Sequence, residues 1–121
     1  MSEPTSDEPI GSPKVLLLSG DLLFASKVRV LVDRVGGQMK VAGNLPEGEG
    51  DWTHVVLDLG TRSKLATDLV SRCQRCCPRA CVMAFGPHVQ VDRLKLAREA
   101  GIEPVLTNSQ FVSNFASMLD S

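Results

Sequence analysis

Val55-Val56-Leu57-Asp58-Leu59 is a continuous apolar run interrupted by one carboxylate near its end. A short run without polar alternation fits a strand buried on both faces, as strands of parallel sheets are. Val15-Leu16-Leu17-Leu18, bounded by Ser19-Gly20-Asp21, reads the same way. So does Cys81-Val82-Met83-Ala84-Phe85, which is broken at Gly86-Pro87. Shorter strands are expected near Met39 to Ala42 and at Val105-Leu106. Between the strands the apolar period changes to that of a helix. Phe24, Val28, Leu31 and Val35 mark one stripe, ended by Gly36-Gly37. Leu65, Leu69, Cys73 and Cys76 mark a second, closed by Pro78. Leu94, Ala97 and Ala100 mark a third, ended by Gly101, and Phe111, Phe115, Met118 and Leu119 a fourth. Gly60-Thr61-Arg62-Ser63 reads as a turn with helix-capping residues. The crossover between Ala42 and His54 has little room for a helix, because Gly43-Asn44-Leu45-Pro46-Glu47-Gly48-Glu49-Gly50 is rich in residues that break regular structure.

Alternating strands and helices with uninterrupted apolar strands predict an α/β domain, a parallel sheet with helices on both faces. In such sheets ligands bind beyond the carboxyl ends of the strands, where the strand order switches. The residues at those ends are Ser19, Gly20, Asp21, Asp58, Phe85, Gly86 and Asn108.

At 121 residues the chain is sized for one domain. Met1 to Pro13 is acidic, carries three prolines and almost no apolar residues, and reads as a disordered leader before a domain over 14–121. The formal net charge is −1, so no basic field points to nucleic acid or an acidic membrane. No apolar run approaches the roughly 18 residues of a membrane span. The acidic start is the opposite of a secretory signal, and a cytoplasmic location is expected.

The strand ends and their spacing resemble the receiver domain of two-component response regulators. The resemblance covers about residues 14–119. Its most specific parts are Lys14-Val15-Leu16-Leu17-Leu18 leading into the first helix, Val55-Val56-Leu57-Asp58, and Ala97-Arg98-Glu99-Ala100-Gly101-Ile102-Glu103-Pro104-Val105-Leu106. The resemblance implies a flavodoxin-like, doubly wound five-stranded parallel sheet in the order 2-1-3-4-5, here with the second helix short or absent. It also implies a phosphoacceptor at the position of Asp58. In the family, carboxylates after the first strand hold Mg²⁺, a Ser or Thr after the fourth strand binds the phosphoryl group, and a Lys after the fifth pairs with it. The chemistry demands them, since a phosphoryl group and a carboxylate nucleophile bring dense negative charge that cations must offset.

This chain departs from that pattern. The acidic pair falls on Ser19 and Gly20, with Asp21 one step later. The hydroxyl position falls on Phe85, the Lys position on Asn108, and the proline beside it on Ser109. The Met-Pro segment after the acceptor is replaced by Gly60-Thr61-Arg62-Ser63, and no Lys follows Lys95. The expectation is a pseudo-receiver: no enzyme and no required cofactor, acting through protein–protein contact without phosphorylation. Its contact face, by the resemblance, is that of the fourth helix, fifth strand and fifth helix, with Arg93, Leu96, Glu99, Val112 and Asn114, and self-association through it is one outcome. A second reading keeps Asp58 as a phosphoacceptor, with Asp21 and Asp58 binding Mg²⁺ weakly.

A third reading rests on Cys73, Cys76, Cys77 and Cys81, a C-x₂-C pair among them, as a redox or metal site. Against it, Cys73 and Cys76 continue an apolar helical stripe and Cys81 opens a strand, so the thiols are expected to be at least partly buried, packing as small hydrophobes without metal. His54 and His88 are too far apart to suggest catalysis, and His88 reads as an exposed loop residue. The chain has one tryptophan, Trp52, and no tyrosine, which leaves no stacking platform for single-stranded nucleic acid. There is no glycine-rich nucleotide motif.

Overall fold

The structure, a computed structural model, describes residues 12–48 and 50–119. Apart from Ser12 and Pro13, the expected leader lies outside the described residues. Five strands form one sheet: β1 (Lys14–Leu18), β2 (Gln38–Ala42), β3 (His54–Asp58), β4 (Cys81–Gly86) and β5 (Val105–Thr107). All pairings are parallel and the order is β2-β1-β3-β4-β5. Helices α1 (Leu22–Arg34), α3 (Ala66–Cys76), α4 (Val91–Glu99) and α5 (Asn108–Leu119) flank it, with a four-residue α2 (Leu59–Arg62) directly after β3. This is the expected doubly wound sheet.

The pleat divides the apolar strand residues between two cores. Leu16, Leu18, Val55, Leu57 and Ala84 face α3 and α4, where Ala66, Leu69, Cys73, Leu94 and Ala97 meet them. Val15, Leu17, Val56, Met83 and Phe85 face α1 and α5, against Ala25, Val28, Val32, Phe111 and Phe115. The α1 stripe is centred one position from the expected one: Ala25, Val28 and Val32 are buried, while Phe24, Leu31 and Val35 are half-buried at its edge. Gly36 and Gly101 follow α1 and α4 with φ of 74° and 93°, the left-handed conformation that ends a helix and that glycine adopts without penalty.

Among the described residues no helix lies between β2 and β3. The crossover is held instead by Leu45, buried against the α3 side, and by Arg72, which donates to Asn44 Oδ1 at 3.0 Å and to the Leu45 carbonyl at 3.4 Å. Gly60 to Ser63 is not a free turn: Leu59–Arg62 is helical and Ser63–Leu65 continues as a 3₁₀ turn. Asp58 caps that helix, which the turn reading left out of account. No helix is long and apolar enough to cross a membrane among the described residues.

His54 opens β3 half-buried, with Nδ1 2.7 Å from Thr53 Oγ1. Burial lowers its pKa, only partly opposed by a hydrogen bond that the ring donates to the Met118 backbone. The folded protein therefore keeps the ring neutral at pH values where the unfolded chain, with a histidine near 6.5, takes up a proton. The contribution is complete above about pH 6.5 and is lost as pH falls towards the folded pKa. Thermal melts between pH 7.5 and 5 should show a steeper acid-side loss for the native chain than for His54→Gln. Parallel pH profiles would remove His54 as the cause.

Candidate functional site at the sheet switch point

β1 and β3 are neighbours, but their following helices leave on opposite faces, which opens a crevice at their carboxyl ends. Asp58 lies at its base, 5 % exposed. Its carboxylate is already engaged by the chain's own donors. The Ser19 hydroxyl donates to Oδ2 at 2.8 Å, the Thr61 hydroxyl to the same oxygen at 2.9 Å, and the Gly60 N–H to Oδ1 at 2.9 Å. Each hydroxyl in turn accepts a backbone N–H from the loop after β1. Asp21 N–H donates to Ser19 Oγ at 3.0 Å and Gly20 N–H to Thr61 Oγ1 at 2.9 Å. A hydroxyl has one proton to give. Accepting from the loop fixes its oxygen, and its proton goes to Asp58. Two relays thus tie the β1–α1 loop to the β3–α2 corner through one carboxylate.

A pocket of about 210 Å³ opens beside this network, lined by Asp21, Phe24, Asp58, Gly60, Thr61, Phe85, Pro87, Gln90 and Asn108. Asp21 serves first as the N-cap of α1, accepting the Phe24 N–H on Oδ1 at 3.0 Å. Phe85 turns its ring away from Asp58 into the α1/α5 core. It stacks on Phe24 at 4.8 Å and Phe111 at 4.4 Å between ring centroids, and Phe111 meets Phe115 at 4.5 Å. Asn108 begins α5, with its Oδ1 buried and without a hydrogen-bond partner. Gly86 is buried but lies outside the pocket lining; a Cβ there would stand 3.1 Å from Leu59 Cβ. No lysine or arginine lines the pocket. Arg62 is nearby but lies across the glycines after β1 and β2: a Cβ on Gly20 or Gly43 would stand 3.2 or 3.4 Å from its Nη2.

The structure therefore gathers Ser19, Gly20, Asp21, Asp58, Phe85 and Asn108 at one end of the sheet. It adds Thr61, Phe24, Pro87 and Gln90, which sequence reading did not assign. Thr61 left no legible signal, because a capping box has the hydroxyl at the N-cap and the acidic or amide side chain three residues on, the reverse of Asp58 and Thr61.

Of the thiols, Cys73 and Cys77 are buried, Cys76 is half-buried and Cys81 is exposed. The expected burial of Cys81 is thus corrected. It is the first residue of β4, outside the stretch that the flanking helices cover, and burial begins two residues later. Among the described residues no group of three or more His, Cys, Asp or Glu is arranged to hold a metal ion.

No known family profile matches the chain, and no curated protein sequence does. Solved structures match in fold. A response regulator from Thermotoga maritima superposes with a TM-score of 0.69 at 15 % identity, over 91 % of this chain and 99 % of that one. An orphan response regulator of H. pylori gives 0.69 at 18 %, over 93 % and 97 %. A Burkholderia pseudomallei response regulator containing a phosphorylated aspartic acid and a calcium ion gives 0.67 at 17 %, over 90 % and 71 %. The fold is that of response-regulator receiver domains.

Proposed function

We propose that this chain is a pseudo-receiver, a signalling module that works by protein–protein contact and not by phosphotransfer at Asp58. The observation that carries the reading is the state of the carboxylate. Three donors of the chain itself hold it, and the nearest pocket offers a second carboxylate, Asp21, and no cationic side chain. A phosphoryl group would add nearly two negative charges there. It would also displace hydroxyls that bridge two loops. The protein in this reading is no enzyme, needs no cofactor and acts in the cytoplasm.

Partner contact is placed on α4, β5 and α5. Leu96 and Val112 are 47 % and 41 % exposed there, with Glu99 and Asn114 also at the surface. Arg93 is a weaker member of that face, since its guanidinium reaches the carbonyls of Leu59 and Gly60, both at 3.1 Å. A second copy of the chain is one candidate occupant.

Treatment with acetyl phosphate and Mg²⁺ should leave the intact mass unchanged, under conditions that phosphorylate an active receiver domain. A gain of one phosphoryl group, absent in Asp58→Asn, would favour the other reading, in which Asp21 and Asp58 on one pocket bind a weak Mg²⁺ and Asp58 accepts phosphate.

A further inference from the structure

Neighbouring residues of an α-helix point roughly 100° apart around the axis, so their side chains do not face each other. Cys76 and Cys77 escape that rule. Cys76 is the last residue of α3, and Cys77 leaves the helix with φ −151° and ψ 67°. The change of direction brings the two Sγ atoms to 3.1 Å. Their settings differ. Cys77 is 2 % exposed, and burial raises its pKa, with the neighbouring thiols adding to the effect. Burial likewise raises the thiol of Cys73, one turn back. Cys76 is half-buried and lines two adjoining cavities of about 570 and 340 Å³. These cavities lie where the helixless β2–β3 crossover meets the end of α3. Arg75 lines both, Arg79 and Asp51 the larger, and Arg72 and Glu47 the smaller, with Asp51 ion-paired to Lys14 at 2.6 Å. Arg75 and Arg79 have no hydrogen-bond or ion-pair partner among the described residues. A partly exposed sulfur beside arginines, in a cleft where they outnumber the carboxylates, is the setting in which cysteines react.

We propose that Cys76 and Cys77 are a modification site, oxidised by hydroperoxides to a reversible disulfide. The Cys76 sulfur, as thiolate, attacks one peroxide oxygen. The O–O bond breaks, giving a sulfenic acid on Cys76 and an alkoxide (hydroxide, from hydrogen peroxide) that takes up the proton Cys76 lost on ionising and leaves as alcohol or water. The Cys77 sulfur attacks the Cys76 sulfur and the S–O bond breaks. The hydroxide released takes up the Cys77 proton as water. In sum, two thiols and ROOH give a disulfide, ROH and water, with two electrons passing from sulfur to peroxide. The sulfurs close from 3.1 Å to about 2.05 Å. Adjacent Cα atoms stand about 3.8 Å apart, short of the usual disulfide span of about 4.4–6.8 Å, so the ring forms under strain and is easily reduced. Strained disulfides are the labile, regulatory ones.

The test uses the full chain carrying Cys81→Ser, which removes the exposed thiol that would cross-link copies. Limited hydrogen peroxide, then alkylation and peptide mapping, should show two of the three remaining thiols lost as a Cys76–Cys77 link, both restored by dithiothreitol. With Cys77→Ser, or Cys77→Ala should the serine variant melt early, Cys76 should instead accumulate a sulfenic acid that dimedone labels. A Cys73–Cys76 link, a sulfenic acid that persists with Cys77 intact, or three unreacted thiols in the folded protein would each overturn the proposal.

Discussion

Phe111→Ala should destabilise the domain by about 3–5 kcal/mol, the cost of removing a buried phenyl ring and leaving a cavity. Phe111 has no exposed surface and its ring stacks between those of Phe85 and Phe115, at 4.4 and 4.5 Å. Phe85 is not free to fill the space, because its ring is also held against Phe24 at 4.8 Å. Single domains are stable by only about 5–15 kcal/mol, so the melting temperature should drop by roughly 15 °C. Phe24→Ala, at the half-exposed end of the same stack, should cost clearly less. Urea titrations of both variants would check the order, and equal losses would mean that the rings do not act as one packed column.

The second large effect is expected at Asp58. Replacement by alanine leaves the Ser19 and Thr61 hydroxyls and the Gly60 N–H without their shared acceptor. Hydrogen bonds to a charged group are worth about 1.5–3 kcal/mol, and orphaning Ser19, the one buried donor of the three, adds its own penalty. A loss of about 2–3 kcal/mol in chemical unfolding is the expected result. The mechanism has a signature beyond the loss. With Ser19→Ala and Thr61→Val added, the orphaned hydroxyls vanish, and the triple variant should recover part of the stability. Strictly additive losses would show that the three groups do not share one network. Any comparison of Asp58→Asn with the native chain in partner binding must therefore be made well below its melting temperature.

The sheet was legible in the sequence because its signal is repeated. Each central strand is an unbroken apolar run, the four longer helices each carry a 3.6-residue stripe, and three of them end at a glycine or proline. The crossover without a helix was legible too, since Gly43 to Gly50 satisfies neither period. The site was legible only in part. Asp58, Ser19 and Asn108 lie at strand ends, where topology brings them together whatever their side chains do. Which donor reaches which oxygen depends on the capping of α2, a four-residue helix too short to leave a periodic pattern. Cys81 failed for a related reason: strand periodicity says which face a side chain points to, but not where the covering helices stop.

The missing helix on the β2–β3 crossover also alters how the sheet can come apart. β2 is an edge strand, paired only to β1, and none of its residues is fully buried. Its outer row of N–H and C=O groups is a template on which another extended chain could grow. Lys40, exposed in mid-strand, opposes that pairing by charge. What holds β2 from within is one ladder, the half-buried Met39 and Val41 beneath α1, and the half-buried Ala42 on the opposite face. Strand β2 is therefore the natural first unit of sub-global opening, free to peel away and return while β1, β3 and β4 stay closed.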